Sequence, residues 1–187
     1  MDAPAALGDL VLASASPRRH ELLSALGLPF RVVVPDVDET PGPDEHPTQL
    51  VARLAEQKAV AVAGEVVIAA DTIVDVDGAV FAKPVDDDDA RRMLAVLAGR
   101  THLVHTGVAV CRGTSTVVEV VTTAVRFVAM SPAAIDWYVA TGEPADKAGA
   151  YAVQGIGGQF VAALDGSPTN VIGLPLDTLV ALLGIAR

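Results

Sequence analysis

Residues 66–71 read Val-Val-Ile-Ala-Ala-Asp, five apolar residues in an unbroken run that stops at a carboxylate. A short run without polar alternation predicts a buried strand, here over Val66–Ala70 and ending at Asp71. Similar runs lie on both sides of it. Leu10–Ala13 reads as a compact first strand and Phe30–Val34 as a second buried one. Between them Ser16 is placed to cap a helix, Pro17 suits its first turn, and Leu22, Leu23 and Leu26 form its buried stripe before Gly27 stops it.

Downstream, the Pro-, Asp- and Glu-rich stretch 35–47 is a loop, and Leu50, Val51, Leu54 and Ala55 repeat at helical spacing within 48–63. Ile73–Ala82 predicts a hairpin turning at Asp77-Gly78. Met93, Leu94 and Leu97 mark a helix closed by Gly99, and a long hairpin follows over 103–111 and 116–128. A helix from Ser131-Pro132, a strand over 160–164 and a terminal helix over 175–185 complete the pattern. Short apolar runs alternating with amphipathic stretches predict an α/β fold.

With 187 residues and 19.2 kDa the chain makes one domain, 1–187, or at most two closely packed lobes. Hydrophobic residues at 51% and charged ones at 19% exclude a disordered or collagen-like chain. Aromatics are only 4%, so the core is aliphatic. The net charge of −10 argues against general affinity for nucleic acid or anionic membranes, but leaves room for a small phosphate-bearing ligand in a local basic pocket. No run reaches the ~18–20 apolar residues of a membrane span. The Ala-rich start, Met1–Ala15, carries Asp2 and Asp9 where a signal peptide has Lys or Arg. Together with the single Cys111, which has no internal disulfide partner, this predicts a cytoplasmic protein.

Basic residues are few: of 13, only Lys58, Lys83 and Lys147 are Lys. A chain that prefers Arg for solvation marks its lysines as candidates for point charges on phosphate. Ser14-Ala15-Ser16-Pro17-Arg18-Arg19 places two hydroxyls and two guanidinium groups where a strand meets a helix N-terminus. That is a ready anion site; alternatively Ser16 is a simple cap and the arginines are solvated. Asp71 holds a divalent ion or orients a water, or else it is a turn aspartate before Thr72. Lys83, beside Pro84, is rigidly placed after the hairpin. Asp36, Asp38 and Glu39 suit a Mg²⁺ bridge to phosphates, or are ordinary acids of an exposed loop.

Other candidates read as structural. Asp86–Asp89 offset the positive end of a helix dipole rather than cage a metal. His102 and His105, three apart on a strand, face opposite ways. Cys111 sits within a strand, and the Gly-rich run 154–158 is a turn that lacks the context of a dinucleotide fingerprint.

Eight segments in order resemble the Maf family, the nucleoside triphosphate pyrophosphatases also called septum formation inhibitor proteins. They are LASASPRRHELLSALG (12–27), DVDET (36–40), RLAEQKA (53–59), AADTIV (69–74), AKP (82–84), LAGRTHLVHTGV (97–108), DKAGAYAVQG (146–155) and NVIGLPL (170–176). The resemblance implies hydrolysis between the α and β phosphates of a nucleoside triphosphate. It implies a mixed twisted sheet with flanking helices, two lobes around a cleft, a fold like that of the inosine triphosphate pyrophosphatases, and often a homodimer. It makes Ser14, Arg18, Arg19, Lys58 and Lys83 the phosphate grip, and Asp71, Lys83 and Glu39 the catalytic groups. Asp71 and Glu39 would hold Mg²⁺ or Mn²⁺, with Thr72 and Gln154 toward the base or beside the reacting phosphate.

Arg18-Arg19, Asp71-Thr72 and Tyr151-Ala152-Val153-Gln154-Gly155 match the dTTP and UTP branch, which also takes modified pyrimidine nucleotides and so cleans the nucleotide pool. The alternatives are the 7-methyl-GTP branch, or a nucleotide-binding regulator of septum formation with little turnover. Ala82 stands where the family has Gly, and Pro168 where it often has Ser.

Overall fold

The structure, a computed structural model, describes residues 7–185; the readings that fall on residues 1–6, 186 and 187 lie outside them. The fold is mixed α/β, with seven strands in a mixed sheet and flanking helices. In chain order the elements are β1 (Leu10–Ala13), α1 (Pro17–Ser24), β2 (Arg31–Val33), α2 (Pro47–Val60), β3 (Val66–Val76), β4 (Ala79–Phe81), α3 (Asp87–Leu97), β5 (Thr101–Arg112), β6 (Ser115–Phe127), α4 (Pro132–Ala140), β7 (Val161–Asp165), α5 (Pro168–Ile172) and α6 (Leu176–Leu183). The chain divides into two compact units. The first holds residues up to Asp71, Thr106–Val121 and from Gly173 onward; the second holds Thr72–His105 and Thr122–Ile172.

In the first unit β1 lies between β2 and β3, parallel to both, with Leu12 opposite Val32 on one side and Ile68 on the other. Side chains alternate across the pleat, and two separate cores result. Leu10, Leu12, Val66, Ile68, Ala70, Val108 and Val110 pack with Leu23 of α1 and with Leu179 and Leu183 of α6. The intervening Val11, Ala13, Val67, Ala69, Ala109 and Cys111 pack with Ala55 and Ala59 of α2. On that second face the residues are small, and α2 comes close. A Cβ on Gly107 of β5 would lie 2.2 Å from the Val51 carbonyl oxygen, so only glycine admits the helix backbone here.

Three expectations need correction. Strand β3 does not stop at Asp71 but runs on to Val76, so this aspartate is inside a strand. The Asp-Thr step imitates a turn, yet the real turn is Asp77-Gly78, both at positive φ, which joins β3 to antiparallel β4. Strand β2 is exposed, with Val32 at 44%, because it lies at the end of the strand order with β1 as its neighbour. Ser16 occupies the N-cap position of α1 without a side-chain cap bond; Ser14 Oγ accepts from the Ser16 N–H instead, at 3.1 Å.

The second unit has its own core: Val74 and Val76 of β3, Val104, Val125, Phe127, Leu94 and Leu97 of α3, Ile135 and Tyr138 of α4, and Tyr151 and Phe160. His102, Phe127 and Tyr151 meet edge to face at centroid separations of 5.0, 5.4 and 4.8 Å. His102 and His105 face opposite sides of β5, as their spacing predicts. Asp86 caps α3 by accepting from the Asp89 N–H at 2.8 Å, while Asp88 and Asp89 pair with Arg91 and Arg92. The acidic run therefore serves the helix start. No helix among the described residues is long and apolar enough to cross a membrane.

Candidate active site

Asp71 shares the parity of Val67 and Ala69, so its carboxylate points to the α2 face of the sheet. Helix α2 buries Val51, Ala55 and Ala59 at i, i+4 and i+8, and Lys58 falls within the same stripe. The two patterns make the encounter unavoidable. Lys58 Nζ lies 2.6 Å from Asp71 Oδ1, and both residues are only 8% exposed. The same ammonium is 2.6 Å from Glu39 Oε1, whose side chain remains 62% exposed. One buried cation thus joins a buried carboxylate to an exposed one.

Glu39 is delivered by the loop before α2, and Arg53 anchors that loop. Its guanidinium forks onto Glu45, with Nε to Oε1 at 2.7 Å and Nη2 to Oε2 at 2.8 Å, and Nη2 also donates to the Thr40 carbonyl at 3.1 Å. The Arg53 hydrogen bonds, helped by the Gly42 N–H, pull the Glu45 carboxyl down to about 2. The Thr40 N–H closes a turn on Asp38 at 2.9 Å. Arg53 also lies within the electrostatic reach of Asp71.

At the end of β1, Ser14 is buried and accepts from Arg19 Nη1 at 3.4 Å. Arg19 Nε donates to the Gly173 carbonyl at 2.8 Å, which fixes the guanidinium plane. Burial lowers the proton affinity of Arg19, Arg18 lowers it further, and Asp71 and Glu39 raise it. Arg19 is therefore within the electrostatic reach of Asp71, Arg18 and Glu39. Ser14, Arg18, Arg19, Glu39, Lys58 and Asp71 all belong to the first unit. This arrangement suits a polyanion: directed donors from Arg, a point charge from Lys, and carboxylates able to position water or a cation.

Thr72 follows Asp71 on β3 and is half-buried. Lys83 follows β4 and Gln154 follows Tyr151; both are exposed residues of the second unit. Reading the residues missed Arg53 and the Gly173 carbonyl as supports of the site. Their partners lie 13 and 154 residues away, at Thr40 and Arg19, and no local pattern signals such contacts. Cys111 is buried, with Sγ 3.6 Å from the Gly113 carbonyl, a structural position.

Asp71 and Glu39 each aim one oxygen at the same positive centre, the donor type that hard divalent cations select. Among the described residues no group of three or more His, Cys, Asp or Glu gathers into a metal cage. A pair of carboxylates is still what Mg²⁺ takes when substrate phosphates and water complete its shell.

The family model described as "Maf-like protein" matches residues 9–185. A "dTTP/UTP pyrophosphatase" of Anaeromyxobacter sp. (strain Fw109-5) is 55% identical over 179 residues, covering 93% of this chain and 87% of the relative. Similar proteins of the same name come from Myxococcus xanthus, 51% identical with 93% and 90% covered, and Shewanella oneidensis, 48% identical with 95% and 98% covered. Among solved structures the Staphylococcus aureus Ham1 protein covers 64% of this chain and 71% of its own at TM-score 0.46 and 16% identity, too slight a likeness to bear on function.

Proposed function

The chain belongs to the Maf-like protein family, and from that premise we propose that it hydrolyses dTTP and UTP to the nucleoside monophosphate and pyrophosphate. The observation that carries the reading is Lys58, buried and paired with both Asp71 and Glu39, two carboxylates that also act on Arg19 through their charges. Relatives about half identical over nearly the whole chain are named dTTP/UTP pyrophosphatases.

A triphosphate brings about four negative charges into a molecule of net charge −10, so its binding depends on local cations. Ser14, Arg18 and Arg19 grip the phosphates, and Lys58 exchanges the exposed Glu39 for a phosphate oxygen while keeping Asp71. Asp71 then orients the attacking water and accepts its proton. Water oxygen bonds to the α-phosphorus, the α–β bridging bond breaks, and pyrophosphate departs with its electron pair. We assign Lys83 to the departing pyrophosphate and Gln154, with Thr72, to the base, on the strength of the family motifs that contain them. Asp71 and Glu39 are the residues that would hold Mg²⁺ or Mn²⁺, and the bound ion would supply charge neutralisation on the phosphates. Positioning and electrostatics account for most of the rate.

We further place the protein in the cytoplasm as a homodimer that cleans the nucleotide pool and takes no nucleic acid or membrane partner. The buried free Cys111 supports the reducing compartment, and the net charge of −10 argues against nucleic-acid and anionic-membrane partners. The homodimer and the pool-cleaning role rest on the family resemblance.

The test is pyrophosphate release from dTTP, UTP, CTP, 7-methyl-GTP and ITP with Mg²⁺, Mn²⁺ or EDTA. We expect dTTP and UTP to lead and EDTA to stop turnover. In ¹⁸O-labelled water the label should enter the monophosphate. A lead for 7-methyl-GTP would overturn the substrate assignment, and binding without turnover would favour a regulator.

A further inference from the structure

Gln154 is exposed, but the loop beneath it is clamped. Glu143 follows α4, and its Oε1 accepts from the Tyr138 hydroxyl at 2.7 Å and from the Gly157 N–H at 2.8 Å. Its Oε2 accepts from the Ile156 N–H at 2.8 Å. The Tyr138 hydroxyl accepts in turn from the Ala152 N–H at 3.2 Å. Three backbone amides that bracket Gln154 thus end on one acid–phenol pair.

The packing leaves no slack. A Cβ on Gly155 would lie 2.1 Å from Glu143 Oε2, and one on Gly157 2.4 Å from the Tyr138 hydroxyl. A Cβ on Gly158 would lie 2.4 Å from the Val153 carbonyl. Tyr138 is fully buried. Burial favours the protonated form of Glu143, but the Gly157 N–H, the Tyr138 hydroxyl and the Ile156 N–H outweigh it and hold the carboxyl below its ordinary range. Burial, then Glu143, raises the phenol. The pair is therefore carboxylate and phenol at neutral pH.

A glutamine reads a base edge only while its donor and acceptor are aimed the right way, and a side chain on a loose loop loses that discrimination to ordering entropy. Resting on the reading that Gln154 meets the pyrimidine, we propose that Glu143 and Tyr138 are positioning residues for base selection, holding loop 152–158 so that Gln154 presents a fixed amide. They act through the backbone at 152, 156 and 157 and touch no substrate.

The test uses E143Q and Y138F in the full chain. The glutamine amide retains an acceptor oxygen but sets an NH₂ against one of the amide donors. For E143Q the KM for dTTP and UTP should rise about 10-fold, and preference over CTP should shrink comparably. The kcat should stay within about 3-fold, since the reacting centre is intact. Inhibition by inorganic tripolyphosphate, which has no base, should not move. Amide exchange at Ile156 and Gly157 should quicken, a readout independent of turnover. Y138F should shift every value the same way by less, and it decides the matter if E143Q fails to fold.

Unchanged KM and selectivity in an active, folded variant would overturn the inference alone. So would unchanged exchange, or a parallel loss of tripolyphosphate inhibition. A wild type inert toward every nucleotide overturns the pyrophosphatase reading and this inference with it.

Discussion

Asp71 and Asp75 stand four residues apart on β3, on the same side of its pleat, and each is 8% exposed. Their partners differ. Asp75 Oδ1 accepts from the Gly78 N–H at 2.7 Å, and its Oδ2 lies 3.3 Å from His105 Nε2, whose Nδ1 reaches Thr122 Oγ1 at 2.8 Å. A turn amide and a strand histidine are fixed, so Asp75 has nowhere else to go. Asp71 meets the end of a flexible four-carbon stem that it shares with an exposed Glu39. In the proposed reaction this ammonium exchanges the exposed Glu39 for a phosphate and keeps Asp71, so no buried charge is left unpaired. Burial alone therefore does not tell the two aspartates apart; their partners do.

The largest break in this comparison should come from Asp71→Asn. We expect kcat for dTTP to fall about 10³-fold, some 4 kcal/mol of barrier. Thermal unfolding should move little, because Glu39 still neutralises Lys58. A variant with near wild-type turnover would remove Asp71 from the reaction.

Acid separates stability from chemistry. Burial lowers His102 from 6.5 to about 4, and it has Tyr151, not a carboxylate, as its hydrogen-bond partner at 2.8 Å. The unfolded chain takes up this proton near pH 6.5 and the folded one only near 4, so the folded state loses stability as pH falls through that window. The loss approaches ~3 kcal/mol at its lower end. Urea unfolding at pH 7 and pH 4 should show the decline, and His102→Gln should flatten it.

The smallest effect belongs to Asp75→Asn. The new amide oxygen still accepts from Gly78, so we expect about 1 kcal/mol lost in urea unfolding and turnover within about 2-fold. A loss of activity like that of Asp71→Asn would erase the contrast between the two carboxylates.

Elements with a local signature were legible in the sequence. Pro17, Pro132 and Asp86 mark helix starts at α1, α4 and α3, and Asp77-Gly78 marks the β3–β4 turn. Lys58 and Asp71, which the fold pairs, stand out in the sequence because lysine is scarce and a carboxylate interrupts an apolar run. The end of β3 was hidden because Asp71 is a polar residue inside the strand, paired with Lys58, and not a turn. The exposure of β2 was hidden because Val32 and Val34 look like core; strand order is a long-range property. Arg53 and Glu143 escaped for the same reason, as each works by holding backbone that only the fold brings to it.

Gly107 carries no functional group, yet it governs how far a distant one extends. A methyl at its Cα would meet the Val51 carbonyl at 2.2 Å, and relief would require α2 to lift. Lys58 rides the same rigid rod two turns farther along. Its tip would withdraw from Asp71 on the sheet, so a missing carbon atom on β5 sets the reach of the ammonium.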